Sequence, residues 1–306
     1  MSDGRRPHLD TLAVASLLLC SALWGLNQSA SKVAVAEIPP LLQAALRSAG
    51  AAALLALFTR VRHIDLRPAT NAAATVRAGL LAGALFALEF GCIFVGLQYT
   101  TASRMAVFIY LAPFFVALGM PLIAPGEKLR GWQLAGLLLA FAGVAAAFGD
   151  SFSGRAAANP QQWWGDTLGV IAAALWAGTT LTIRATPLSS APAEQTLMYQ
   201  LVVSALLLTM ATLATGERWP QGVSMVAWGA LVFQTLIVTF ASYLLWFWLV
   251  RHYPATQISS FTLLTPIFGL AAGVGLLGEP LTPRLVLALA AVVAGITLVS
   301  RRRHRS

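Results

Sequence analysis

The stretch LWGLNQSASKVAV, Leu23–Val35, returns as LWAGTTLTIRAT, Leu175–Thr186, with Trp24 meeting Trp176 at an offset of 152 residues. The echo runs further. Pro40 maps onto Pro192, YLAPFFVAL around Pro113 onto LLTPIFGLA around Pro266, and GEKL from Gly126 onto GEPL from Gly278. Such self-similarity means one structural unit used twice. The first unit carries apolar runs at roughly 9–35, 41–59, 75–97, 102–124 and 131–149; the second at 165–184, 194–214, 225–250, 255–278 and 283–300. A run of about 20 apolar residues is what a helix needs to cross the hydrocarbon core. Because each unit holds an odd number of runs, the second must sit upside down relative to the first. The sequence thus predicts an all-α membrane protein of ten transmembrane helices arranged as two inverted five-helix repeats. The repeats cover residues 1–149 and 164–300, joined by an extracytoplasmic linker at 150–163 and followed by a basic cytoplasmic tail at 301–306.

Composition supports the bilayer. Of 306 residues, 58% are hydrophobic and 10% charged, against about a quarter charged in a soluble domain. The net charge of +9 is gathered in a few loops and the tail, without the interleaved aromatic residues that stack bases, so nucleic acid is not an expected partner. If the N-terminus is cytoplasmic, fourteen Lys and Arg fall on the inner side and five on the outer, with Arg47 left inside the membrane. That asymmetry places both termini in the cytoplasm of a multi-pass protein in the cytoplasmic (inner) membrane.

Cys20 and Cys92 both fall in apolar runs and read as packing groups, not as a disulfide or a metal site. The four His residues are scattered through loops and tails, no HExxH, GxSxG or Walker-type segment occurs, and no cofactor, metal or catalytic constellation is expected. Inverted repeats around a central cavity are instead the architecture of many secondary transporters. A membrane-embedded enzyme or a non-transporting receptor or assembly protein is the rival class.

Ionisable groups inside a span are functional candidates by default. Arg47 in span two and Glu89 in span three lie at matching depths, so they either pair or flank one cavity open to the outside. The functional reading gives Arg47 a substrate carboxylate, which suits its planar fork, and Glu89 an ammonium group or a coupling proton. The structural reading makes them a pair that fixes spans two and three. Asn27 and Gln28, past the centre of span one, should face the cavity or a neighbouring helix rather than lipid. Gln234 and Thr235 lie at comparable depth in span eight. Thr180, with Thr179 and Thr182, follows Trp176, where hydroxyls often bond only their own helix. Trp24 and Trp176 are the aromatic residues best placed to line the cavity, whereas Trp163, Trp164, Trp219, Trp228 and Tyr253 suit interfacial anchoring.

Gly79, Gly83, Ala87 and Gly91 form a stripe that admits a close helix neighbour, as do Gly269 and Gly273. Pro113 and Pro266 interrupt the backbone ladder at equivalent points, as hinges or as static kinks. Glu127 and Glu279, at span ends, read as caps or topology markers. Gly136, Ala140, Ala291 and Gly295 in spans five and ten suit either a homodimer contact or packing within one bundle.

With these motifs in hand, the sequence resembles the drug/metabolite transporter superfamily, specifically its ten-span members with two EamA-type domains. The resemblance rests on LWGLNQSASK in span one, LQYTTAS between spans three and four, and the span-four proline followed by GEKL. The span-nine proline followed by GEPLT completes it. It takes in nearly the whole chain and implies a transporter, often an exporter of amino acids, related metabolites or xenobiotics. Span one lacks the membrane-embedded glutamate with which the small four-span multidrug members couple to protons, so proton coupling does not carry over directly.

Overall fold

The computed structural model describes residues 9–67, 71–123, 131–152, 160–253 and 261–300, and all regular structure among them is helical. Helices α1 (Thr11–Val35), α2 (Pro40–Val61) and α3 (Ala72–Tyr99) are unbroken. The fourth run divides into α4 (Ala102–Ile109) and α5 (Ala112–Ile123). Helix α6 (Gly131–Phe152) ends the first half, and α7 (Gln162–Ala185) and α8 (Ala193–Thr215) open the second. The eighth run is α9 (Met225–Val232), a π-helix (Phe233–Ser242) and α10 (Tyr243–His252). A 3-10 turn (Thr262–Leu264) leads into α11 (Thr265–Leu277), and α12 (Pro283–Ser300) is last.

Seven helical segments among the described residues are long and apolar enough to cross a bilayer, and three shorter apolar ones lie at the expected fifth, ninth and tenth positions. Boundaries follow the apolar runs to within about three residues, the usual fraying of helix ends, except the start of the ninth, expected at 255, which lies outside the described residues. Lipid-facing residues such as Leu57, Leu81, Leu206 and Leu287 are exposed, as expected when lipid rather than a core receives the apolar face.

Both conserved-spacing prolines mark breaks. Pro113 lies at the start of α5, directly after the Tyr110–Leu111 turn, where the Leu111 N–H bonds the Phe108 carbonyl in a tightened turn. Pro266 opens α11 after the 3-10 turn. A proline lacks the N–H that would continue the ladder, so the preceding turn tightens or ends.

Small residues set the packing distances. A methyl group built on Gly83 would lie 2.6 Å from the Val203 Cβ and 2.8 Å from the Tyr199 carbonyl oxygen, so α3 and α8 touch backbone to backbone there. On Gly25 it would meet the Phe268 Cβ at 2.6 Å, which brings α1 equally close to α11. The small residues of spans five and ten face one another. A methyl on Gly143 would lie 2.5 Å from the Ala291 Cβ, and one on Gly295 would lie 2.5 Å from the Gly136 carbonyl oxygen. In this chain α6 and α12 therefore pair within one bundle.

One expectation changes. Tyr253 is fully buried and donates its hydroxyl to Asp10 Oδ2 at 2.8 Å, tying the start of α1 to the end of α10 rather than anchoring at the lipid interface. The GEKL motif with Glu127, residues 153–159 of the linker, the N-terminal arginines and the basic tail lie outside the described residues.

Candidate functional site

Hydrogen bonds between helices fix the relative heights of the candidate residues. Ser31 Oγ and Gln43 Nε2 both donate to Gln234 Oε1, at 3.0 and 3.3 Å, and Gln43 also reaches the Ser31 carbonyl. All three residues are fully buried. One turn further in, Arg47 Nε donates to Thr239 Oγ1 at 2.7 Å. Deeper again, Trp24 Nε1 donates to Ser242 Oγ at 2.8 Å. Arg47 therefore lies between the levels of Ser31 and Trp24, which is the level of Asn27 and Gln28. Span nine joins at this depth: Ser21 Oγ donates to the Phe261 carbonyl, and Gly25 packs on Phe268, which brackets Thr265.

Arg47 is 1% exposed and sits over the face of Phe90, with its guanidinium carbon 3.8 Å from the ring centroid; Phe94 lies at 5.9 Å. Aromatic faces attract a desolvated cation. Glu89, also buried, and Tyr243 both lie close enough to interact electrostatically with the guanidinium. No salt bridge joins Arg47 to Glu89 directly. The depth match expected from the sequence is present; the direct pair is not, because Thr239 and Phe90 hold the guanidinium instead.

Several buried polar atoms here have no hydrogen-bond partner in the protein: Arg47 Nη1, Asn27 Oδ1 and Gln28 Oε1. Each such group costs about 1–3 kcal/mol, so a cluster of them needs an explanation, and a site built for something else to bond is one. Aromatic edges frame it. Trp24 meets Tyr243 and Trp246 edge-on, at centroid separations of 6.2 and 5.1 Å, and Tyr110, at the span-four break, meets Trp176 at 5.8 Å. The structure thus places Trp24, Asn27, Gln28 and Arg47 at neighbouring depths, with Glu89 near Arg47 and Trp176 beside the span-four break. Gln234 is engaged in the layer above, and Thr180 donates to the carbonyl of Trp176 in its own helix.

Sequence reasoning missed a second buried charge cluster. Arg104 grips Asp166 through Nε at 3.0 Å and Nη2 at 2.6 Å, and Nη2 also reaches the Ala147 carbonyl. Thr100 adds a hydroxyl to Asp166 at 2.6 Å. Both charged residues are buried, and together they lock the start of α4 to the start of α7. The available signal was Asp166 itself, a carboxylate at the beginning of an apolar run. Thr239 was also missed, because its approach to Arg47 depends on the π-helix.

A profile of the EamA-like transporter family matches twice, at residues 11–149 and 163–301. The chain is 28% identical over 285 residues to an uncharacterized transporter, YvbV, of Bacillus subtilis, covering 92% of this chain and 88% of the relative. It is 27% identical to a probable amino-acid metabolite efflux pump of Escherichia coli, covering 91% of each. A crystal structure only 19% identical shares the fold, with a TM-score of 0.65 over 94% of this chain and 97% of its own. An all-α, multi-pass membrane protein that matches this profile in both halves belongs to the EamA-like transporter family, and it is a transporter, not an enzyme.

Proposed function

We propose that the chain is a secondary transporter that exports small metabolites, such as amino acids or related compounds, by alternating access around a cavity between two inverted repeats. It would sit in the cytoplasmic membrane with both termini inside. The observation that carries the reading is Arg47: a buried cation held by Thr239 and beside Tyr243, with one unpartnered Nη1 and a nearby carboxylate that forms no ion pair with it. A cargo carboxylate fits the free side of the guanidinium. A cargo ammonium fits Glu89 and the unpartnered oxygens of Asn27 and Gln28. The efflux-pump name of the Escherichia coli relative supports the direction and the cargo class. The aromatic pairs Trp24–Tyr243 and Tyr110–Trp176 favour a second cargo class, flat apolar xenobiotics.

The test is counterflow of labelled amino acids and cationic dyes in sealed vesicles containing the purified protein, with and without a protonophore. Arg47→Ala and Glu89→Ala should each abolish amino-acid movement in protein that still folds. Normal transport by the double variant would remove the site from contention. Reporter fusions that place the two termini on opposite faces would remove the inverted repeat.

A further inference from the structure

Three carboxylates at one end of the bundle each cross from one half of the chain to a helix N-terminus in the other. Glu217, just after α8, accepts from the N–H groups of Leu41 and Leu42, at 3.3 and 2.9 Å, in the first turn of α2. Glu37, between α1 and α2, runs the opposite way and accepts from the Ser224 N–H at 2.6 Å and its hydroxyl at 2.7 Å, at the N-cap of α9. Glu279, after α11, accepts from the N–H groups of Ala102 and Ser103, at 2.7 and 2.8 Å, at the start of α4. A helix N-terminus has unsatisfied N–H groups and partial positive charge, so each contact suits a carboxylate. Directly inward lies the fully buried layer of Ser31, Gln43 and Gln234, and Arg47 lies beneath that.

The opposite end is joined differently. Cross-half hydrogen bonds described there include Tyr253 to Asp10 and Gln195 to the Leu66 carbonyl.

We propose that Glu37, Glu217 and Glu279 are the latches of a gate at the α1–α2 end, shown here closed. The Ser31–Gln43–Gln234 layer is the plug behind them. Each latch is a contact between halves, so the halves can separate at this end only when the carboxylates leave the three N-termini. The Arg104–Asp166 lock keeps α4 on α7 at this end, so release moves α2 and α9 around that fixed joint, exposes Ser31 and Gln43 and opens a path down to Arg47. The inference goes beyond the cargo reading and rests on alternating access alone.

The experiment uses the full chain in detergent with Cys20 and Cys92 replaced by alanine. The reporter is Ser31→Cys, and Leu17→Cys is the control, fully buried near Tyr253 at the other end. The readout is the rate of modification by a small charged methanethiosulfonate. Replacing the three latch carboxylates together (Glu37→Gln, Glu217→Gln, Glu279→Gln) should raise the rate at Ser31→Cys by about tenfold, given the weak but additive strength of such contacts, and leave Leu17→Cys unchanged. The single variants should each give part of that increase, which keeps the test decisive if the triple variant does not fold. An unchanged rate at Ser31→Cys in every variant overturns the gate. Equal acceleration at both reporters also overturns it, because it reports general loosening. Neither readout requires cargo, so a failed vesicle assay with the expected labelling removes the cargo reading and leaves the gate standing.

Discussion

Thr239 accepts the Arg47 Nε hydrogen bond while its own hydroxyl donates to the carbonyl of Gln234, five residues back, at 2.8 Å. That spacing belongs to the π-helix Phe233–Ser242. In an α-helix the hydroxyl would reach only four residues back, and Val238 would take the face that follows Gln234. An extra residue in the turn thus puts a hydroxyl, rather than an isopropyl group, against the buried cation. Single π turns are frequently found at functional sites.

Thr239→Val should therefore remove about 2 kcal/mol of stability, the usual size of a hydrogen bond to a charged group. Thr239→Ser should retain most of it. Thermal unfolding in detergent compares the three proteins. Equal midpoints for the valine variant and the parent would show that Thr239 does not hold Arg47.

Breaking the Arg104–Asp166 cluster should cost more. Asp166→Asn or Arg104→Ala leaves a buried charge uncompensated, typically a loss of about 3–5 kcal/mol. Replacing both by apolar residues of similar size, Arg104→Met with Asp166→Leu, should recover much of it. The parent, Arg104→Met, Asp166→Leu and the double variant form a double-mutant cycle, read from unfolding midpoint and yield. Simple additivity would mean that the two side chains do not depend on each other.

Close packing at Gly83 predicts a steric effect. Gly83→Val places carbon against the Val203 side chain and the Tyr199 carbonyl, and overpacking of this kind costs about 1–3 kcal/mol. Gly229, which has nothing within 4 Å of an added methyl, should accept alanine without loss. Matched unfolding curves for both positions decide it.

Glu37 gives a pH prediction. Hydrogen bonds from the Ser224 backbone and hydroxyl hold its carboxyl below the ordinary value of 4.5. The folded contact thus favours the ionised form. Its contribution is present above the unfolded value and is lost as pH falls through the lower folded one. The Ser31→Cys reporter should react faster only once pH drops below about 4.5, measured with a reagent that is reactive in acid. The change should be smaller in Glu37→Gln and absent only when all three latch carboxylates are replaced.

The fold was legible because bilayer crossing imposes a length and a composition that no other context combines. Pro113 and Pro266 announced the breaks, the Gly79–Gly83 stripe announced the α3–α8 contact, and Glu279 was readable as a cap. The site was half legible. Charges deep in a span stand out, so Arg47 and Glu89 could be found, but sequence gives depth and not direction around the helix. Their distance from a direct pair, and the engagement of Gln234 by Ser31 and Gln43, needed coordinates. Tyr253 was misplaced for a related reason: near a span end, a buried clamp and an interfacial residue have the same sequence signature.

Helices α6 and α12 lock together through surfaces with almost no side chain, Gly143 against Ala291 and Gly295 against Gly136. A half-protein would carry that bare ridge into the lipid with nothing to cover it. Tethering both units in one polypeptide guarantees each ridge its counterpart at fixed stoichiometry. The two units are thereby freed to drift apart in sequence, so that one can keep a charge such as Arg47 while the other supplies the hydroxyl that holds it.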